Sequence, residues 1–362
     1  MGIYLLYIVI TFLAYNGILG DHRAYRLRSG RVVQRDRIIF SWIAGTLLWA
    51  IFAFRDISVG SDTINYYYRY INIQKPSLSL VGIAGQELGY DMLQYLCRSI
   101  GMGWQVYLAV VSAIIIAPMV LLFHRYSVNI WASFFLYVTI GLINVNMSAI
   151  RQSLAVAMVV MSIISIFDKQ YIGLVVYVLI GSLFHYSAIF ALLLAFIPLY
   201  RCKSKLHLTY LLLVPFIARI AGDIFLGSIL SLMPTRYMDF YTDEQIMNPL
   251  LEAVWISLLL FLYFTHRVNG KVKFIDFRFY LLVVLFVASV ELSYSVYLAS
   301  RLSYYFELAV MVAIPNAILK YKDKTTRMII SVGVYSLCLA FLIVSSLGSD
   351  TLAIYDYKFF WQ

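Results

Sequence analysis

The feature that most constrains this chain is a series of about twelve apolar runs, each near the ~20 residues that a helix needs to cross a bilayer. Charged or turn-forming residues separate the runs. The pattern predicts an all-α, polytopic membrane protein with about twelve transmembrane helices. The predicted spans are residues 2–20, 38–54, 102–123, 129–146, 150–167, 170–184, 186–200, 207–224, 250–266, 279–297, 303–319 and 328–347.

The composition excludes other classes of protein. Hydrophobic residues make up 62% of the chain and charged residues 13%, whereas a soluble domain is about 45–50% apolar and about 25% charged. A soluble fold could not remove so much apolar surface from water. We therefore exclude a soluble enzyme, a disordered chain and a nucleic-acid-binding domain. Because twelve helices would use most of the chain, we expect a single integral membrane domain over residues 1–362.

The basic residues predict the orientation of this domain. Nineteen of the 28 Lys and Arg residues, but only five of the 18 acidic residues, fall in segments on one side of the twelve-helix arrangement. Since cytoplasmic loops are enriched in Lys and Arg, that side is predicted to be the cytoplasm, with both termini outside. Two long outer segments follow, at about 55–101 and 226–249, and the first is expected to contain short interfacial helices.

Polar residues that the bilayer penalises collect at one depth of this arrangement. Arg55, Arg151, His185 and Arg301 stand at outer helix ends, and Arg219 lies in the outer half of its helix. Arg151 opens a helix, where a cation is disfavoured, and this favours a functional reason for its presence. The clustering at one face differs from the path through the membrane that an ion relay would need.

Several guanidinium groups at one depth predict an anionic ligand, because Arg forms bidentate contacts to phosphate and stays charged at any working pH. Together with a histidine that can accept a proton near neutrality, they predict group transfer from a phosphate leaving group to a hydroxyl. The histidine, or an acidic residue, would accept the hydroxyl proton, and the residues alone do not decide between them. The tyrosines expected to contact a glycan are Tyr66, Tyr304 and Tyr305.

Structural explanations remain open for several of these residues. Arg55 would serve as a snorkelling helix end. Arg219 and Asp223, at positions i and i+4, would form an intrahelical ion pair. Glu291 or Glu307 would neutralise the arginine that opens the eleventh predicted span.

The sequence has no pattern typical of a metal or nucleotide site. Cys97, Cys202 and Cys338 are far apart, and the chain contains no HExxH, no Walker A motif and no clustered Cys and His. We therefore expect no cofactor and no metal.

Five short motifs, in order along the chain, resemble those of the EpsG family of membrane proteins. Their order and spacing extend over most of the chain, roughly residues 1–320. The motifs are RDISVGSDTINY at residues 55–66, ELGY at 87–90, RQSLA at 151–155, FHYSA at 184–188 and RLSYYF at 301–306.

The resemblance implies a Wzy-like bacterial polysaccharide polymerase with a GT-C-like fold. Such a protein joins oligosaccharide repeat units that are linked to undecaprenyl diphosphate, both as donor and as acceptor, at the outer face of the cytoplasmic membrane. Arg55, Arg151 and Arg301 would then hold diphosphates, with Arg219 as a weaker candidate. His185, Asp62 or Glu87 would position or deprotonate the acceptor, and His185 ranks first because it lies in the turn nearest the depth of the arginines. Membrane lipid and a chain-length regulator protein are the other partners that the resemblance implies.

Two alternatives stay open at this stage. A flippase for lipid-linked oligosaccharides would be expected to show two related halves and polar residues along a path through the bilayer. An O-antigen ligase differs from a polymerase only in its acceptor, so the residues cannot separate these two enzymes.

Overall fold

The computed structural model describes residues 1–19, 34–75, 87–197, 205–231, 249–268, 274–296, 299–348, 350 and 352–362. Within these residues the regular secondary structure is helical, apart from an isolated bridge between Arg55 and Phe359. Contacts group the chain into two compact units, Met1–Ile189 with Val332–Gln362, and Phe190–Ser331.

The first unit contains nine helices within its described residues, together with most of a further helix, α15. These helices are α1 (Gly2–Leu19), α2 (Gln34–Ala53), α3 (Thr63–Ile71), α4 (Leu88–Ser99), α5 (Trp104–Tyr126), α6 (Ile130–Ile140), α7 (Leu142–Ser148), α8 (Ile150–Phe167), α9 (Tyr171–Phe184) and α15 (Lys324–Leu347). A 3-10 segment, Tyr186–Phe196, follows α9.

The second unit contains five α-helices among its described residues. They are α10 (Lys205–Leu211), α11 (Val214–Ser231), α12 (Pro249–Val268), α13 (Phe274–Ser293) and α14 (Ser300–Ile318). Helix α13 packs against α11, α12 and α14. It is apolar and mostly buried, as expected of the central helix of its unit.

Helical structure covers the described part of every predicted apolar run, and the chain has the architecture of a multi-pass helical membrane protein. Six helical segments among the described residues are long and apolar enough to cross a membrane, or seven if a bent pair counts as one span. Twelve crossings, and termini on the outside, stay predictions. The six segments are Gly2–Leu19, Arg35–Ala53, Trp104–Tyr126, Ile150–Phe167, His207–Ile224 and Lys324–Leu347.

The predicted span at 129–146 is helical but bent. The chain forms α6 and α7, which meet at an angle of 65°. The break falls at Gly141, whose φ of +111° lies in the left-handed region that glycine adopts without a steric penalty. A residue in this conformation ends a helix, so α7 begins in a new direction.

The first predicted outer segment contains two short helices, α3 and α4. Helix α3 packs against α4 and α5, and α4 packs against α9. Residues 76–86 of this segment, and residues 232–248 of the second predicted outer segment at 226–249, lie outside the described residues.

The C-terminal tail holds the loop that precedes α3. The backbone N–H groups of Asp56, Gly60 and Ser61 donate to carbonyl oxygens of Lys358, Ala353 and Leu352, over 2.9, 2.8 and 2.9 Å. These bonds join the loop to a segment about 300 residues later in the sequence. Backbone groups away from regular structure need such partners when water is excluded.

Candidate active site

The carboxylate of Glu87 is the centre of a buried polar cluster in the first unit. Glu87 directly precedes α4 and is 5% exposed. Its Oε1 atom contacts Nδ1 of His185, and its Oε2 atom lies 2.8 Å from Nη1 of Arg151. A buried carboxylate is costly unless it is paired, and here each oxygen has a partner. Three residues from separate motifs of the sequence therefore form one cluster, which we call the Glu87 cluster.

Three helix ends bring these side chains together. Arg151 is the second residue of α8, and His185 directly follows α9 with an extended backbone. Helices α8 and α9 pack along each other as a hairpin, with a short turn between them. Since the two helices run in opposite directions, the start of α8 and the end of α9 lie at the same end of the pair. Helix α4 packs against α9 and supplies Glu87.

The surroundings of Arg151 offset the cost of a cation at a helix N-terminus. Besides its ion pair with Glu87, the guanidinium lies over the ring of Tyr66, with 5.8 Å between the guanidinium carbon and the ring centroid. The side chain of Arg151 is nevertheless 36% exposed. The side chain is therefore not sealed off by its neighbours, and an approaching anion can reach it.

Tyrosines form one wall of the cluster. Tyr66 is buried, and its ring packs edge-on against that of Tyr90, with 5.5 Å between centroids. Burial raises the pKa of the Tyr66 phenol, and the nearby charge of Arg151 opposes this rise. Asp62, one turn earlier on the chain, is exposed. Of the two acids that the sequence suggested as a base, Glu87 is therefore buried and paired, whereas Asp62 is exposed.

Gly60 allows the loop before α3 to approach α7 closely. Its φ is +95°, and a Cβ at this position would lie 2.8 Å from the carbonyl oxygen of Met147. Only glycine fits both the conformation and the space. This contact places α3, and with it Tyr66, next to the segment that leads into Arg151.

Arg55 lies away from solvent, at 1% exposure. Its Nη1 atom donates to the carbonyl oxygen of Phe52 over 2.7 Å, and Nη2 donates to that of Met147 over 3.0 Å. Burial lowers the pKa of Arg55 to about 10, so the guanidinium keeps its charge at neutral pH. The structure thus gives Arg55 a structural contact between the end of α2 and the end of α7. Its contact with a diphosphate stays a prediction, and the burial makes it the weakest of the set.

Replacing Arg55 with alanine is expected to destabilise the first unit. The carbonyls of Phe52 and Met147 would lose their donors, at about 1–3 kcal/mol for each buried group left unsatisfied. The midpoint of thermal unfolding in detergent should therefore fall. Arg98 is exposed and its guanidinium lies over the ring of Tyr70, so Arg98→Ala is a matched control expected to change the midpoint little. An unchanged midpoint for Arg55→Ala would contradict the structural role.

Arg219 does not form the intrahelical pair with Asp223 that its spacing suggested. It pairs instead with Glu252 on α12, at 3.3 Å, and with Glu291 on α13, at 3.4 Å, and it lies over the ring of Tyr294. The side chain of Asp223 accepts a hydrogen bond from Ser295. Tertiary packing decides this pairing, because α11 lies against α13 and a buried carboxylate there requires a cation. Two carboxylates neutralise Arg219, which weakens it as a ligand for diphosphate.

Arg301 and its two tyrosines belong to the second unit. Arg301 is the second residue of α14, in agreement with the prediction that it opens this helix, which begins slightly before the predicted span at 303–319. Arg301 and Tyr304 are partly exposed, whereas Tyr305 is fully buried. The ring of Tyr305 is therefore part of the packed interior. Arg301 and Tyr304 remain candidates for binding substrate. Glu291, which was expected as a neutralising partner of Arg301, is engaged by Arg219.

One pair of residues near the cluster was not singled out from the sequence. Arg69 on α3 forms an ion pair with Asp91 in the first turn of α4. The pair joins the two short helices of the first outer segment. The sequence signal was weak, since an acidic residue at a helix N-terminus is common for reasons of the helix dipole alone.

No group of three or more His, Cys, Asp or Glu side chains that could hold a metal ion lies among the described residues. The absence of a cofactor stays an expectation from the sequence.

Comparison with known proteins gives one result over nearly the whole chain. No curated protein and no solved structure matches it significantly. The model of the EpsG family matches residues 38–359, a range that contains every residue of the Glu87 cluster and all five motifs. EpsG family proteins are Wzy-like polysaccharide polymerases. The chain therefore belongs to the EpsG family.

Proposed function

We propose that this protein is a polysaccharide polymerase that joins repeat units linked to undecaprenyl diphosphate at the outer face of the bacterial cytoplasmic membrane. The observation that carries the proposal is the Glu87 cluster, in which one buried carboxylate contacts both a histidine and a partly exposed arginine. Family membership supports the coarser role in polysaccharide synthesis. The undecaprenyl-diphosphate donor is what the family resemblance implies, and a guanidinium group suits a diphosphate ligand.

In the proposed reaction, a sugar hydroxyl of the acceptor repeat unit attacks the anomeric carbon of the donor glycan. A new C–O bond forms, and the bond between that carbon and the diphosphate oxygen breaks. The bonding electrons leave with undecaprenyl diphosphate. His185 accepts the hydroxyl proton, which balances the reaction without any further co-reactant.

The contacts favour His185 over Glu87 as the base. Glu87 has one oxygen on His185 and the other on Arg151, so its position is fixed and it orients the imidazole. With Nδ1 held by Glu87, Nε2 is the nitrogen that takes the proton. Asp62 is exposed and remains an alternative base if the acceptor binds further outside.

Arg151 is the proposed ligand of the donor diphosphate. Charge accumulates on the leaving oxygen during bond cleavage, and a preorganised guanidinium stabilises it there. Arg301, in the second unit, is proposed separately as a ligand for diphosphate, since it is partly exposed at the start of α14. Tyr66 and Tyr304 would contact the glycan.

The proposal extends to the topology and the partners of the protein. Twelve membrane spans in a GT-C-like arrangement, with both termini outside, would place the Glu87 cluster at the periplasmic or outer face. Membrane lipid surrounds the protein, and a chain-length regulator protein is a further proposed partner. We also propose that catalysis is independent of metal ions, because the cationic side chains supply the charge that a metal would otherwise provide.

Elongation in vitro tests the proposed function. Purified protein in lipid nanodiscs is given an authentic repeat unit on undecaprenyl diphosphate, in EDTA and without nucleotide. We expect glycans of increasing length together with free undecaprenyl diphosphate. Folded protein that forms no longer glycan would overturn the proposal, and movement of the lipid-linked unit across the bilayer without chain growth would indicate a flippase instead.

A further inference from the structure

Gly89 lies two residues after Glu87, in the first turn of α4, and directly faces the end of α9. A Cβ placed on Gly89 would be 2.7 Å from Cβ of Leu183 and 2.9 Å from the carbonyl oxygen of Leu183. Ordinary contacts between carbon atoms are about 3.5–4.0 Å long. The two helices are therefore closer at this point than any residue with a side chain allows.

The neighbours of Gly89 cannot move aside independently. They are the carbonyl group and the first side-chain carbon of Leu183, whose positions the backbone of α9 determines. A change of side-chain rotamer would not make space for a methyl group. Alanine at position 89 would instead push α4 away from α9 by a distance on the order of 1 Å, judged from ordinary contact distances.

This contact is close in sequence to both members of the carboxylate–imidazole pair. Glu87 stands two residues before Gly89, and His185 stands two residues after Leu183. A shift of α4 at Gly89 is therefore transmitted to the contact between Glu87 and His185. Glu87 is also the partner of Arg151, so the same shift would disturb the whole Glu87 cluster.

We propose that Gly89 is a positioning residue, which sets the spacing between α4 and α9 that brings Glu87 onto His185. Its role is to let two helix ends touch, and it makes no contact with substrate. The consequence for chain elongation rests on the proposed function of the cluster. The consequence for the Glu87–His185 contact does not, so the two can be tested apart.

The kinetic test compares Gly89→Ala with two other glycine variants in the elongation assay. Because a misplacement of about 1 Å can cost about 10²-fold in rate, we expect kcat to fall by roughly 10- to 100-fold, with a smaller change in KM. A Cβ added to Gly103, before α5, would have no atom within 4 Å, so Gly103→Ala should keep full activity. A Cβ added to Gly181 on α9 would lie 3.2 Å from Cβ of Met158 on α8, a milder conflict than the one at Gly89, so Gly181→Ala should lower kcat less than Gly89→Ala.

A double variant separates positioning from general damage. If Gly89 acts through Glu87, Gly89→Ala should cost little further activity once Glu87→Gln is present. Additive losses in kcat, or normal kcat for Gly89→Ala alone, would overturn the proposal. A wild-type protein that does not elongate glycans would instead refute the proposed function.

A measurement that needs no activity completes the test. The shifts in melting midpoint of Glu87→Gln, His185→Asn and the double variant define the coupling between the two residues. This coupling should be present in the parent protein and should be lost when the same three variants also carry Gly89→Ala. Equal coupling in both backgrounds would show that Gly89 does not position the pair.

Discussion

Arg151→Ala is expected to abolish the synthesis of long glycans, with a fall in elongation rate of about 10²–10³-fold from the loss of one donor to a developing anion. The guanidinium is the partly exposed cation of the Glu87 cluster, so it is the group placed to meet a diphosphate. Its removal also leaves Glu87 with His185 as its remaining partner in the cluster. The measurement is the initial rate of chain growth on a lipid-linked repeat unit, together with the length distribution of the product.

Arg151→Lys should fail nearly as severely. An ammonium lacks the planar pair of N–H donors with which a guanidinium can bind two oxygens of a phosphate. Arg125 provides the matched control. It is half exposed and pairs with Asp168, away from the cluster, so Arg125→Ala should keep normal chain growth. Normal-length polymer from the Arg151 variants, in protein that inserts and folds, would remove Arg151 from the proposed mechanism.

His185→Ala is expected to lower the elongation rate by about 10²–10⁴-fold, the usual contribution of a positioned general base. The side chain of His185 is 12% exposed, and Glu87 holds its Nδ1 atom. Loss of the imidazole removes the proton acceptor and leaves the Glu87–Arg151 ion pair in place. Single-turnover kinetics with bound donor would separate this chemical step from substrate binding.

His124→Ala is the control for His185→Ala. His124 lies in the last turn of α5 and forms a hydrogen bond with Ser41. The proposed reaction does not use it. Its variant should retain elongation. If His185→Ala elongates at a normal rate and Asp62→Asn does not, the role of base passes to Asp62.

Arg55 and Arg151 have similar sequence contexts but different surroundings in the structure. The sequence identified Arg55 and Arg151 as equivalent candidates, since both stand at outer helix ends. The structure separates them. Arg55 is buried and donates to two carbonyls, whereas Arg151 keeps a third of its side chain in solvent. Exposure depends on what packs over a residue, and that is a property of the tertiary fold.

The case of Arg219 makes the same point for pairing. A spacing of four residues favours an ion pair along one helix, but such a pair contributes only about 0.3–0.5 kcal/mol when exposed. Two glutamates from neighbouring helices offer a stronger arrangement, because Glu291 is buried and needs a cation nearby. Local spacing could not reveal partners that are 33 and 72 residues away.

By itself, the sequence determined the class of this protein. Apolar runs of bilayer length require helices in a membrane, and this requirement is local, so it can be read residue by residue. The motifs also placed the chain in its family. Tertiary structure alone decided that Glu87, His185 and Arg151, from three separate motifs, share one cluster. The reason is physical: α4 can approach α9 only where glycine leaves room, and such a contact between helices distant in sequence leaves no periodic signal in either of them.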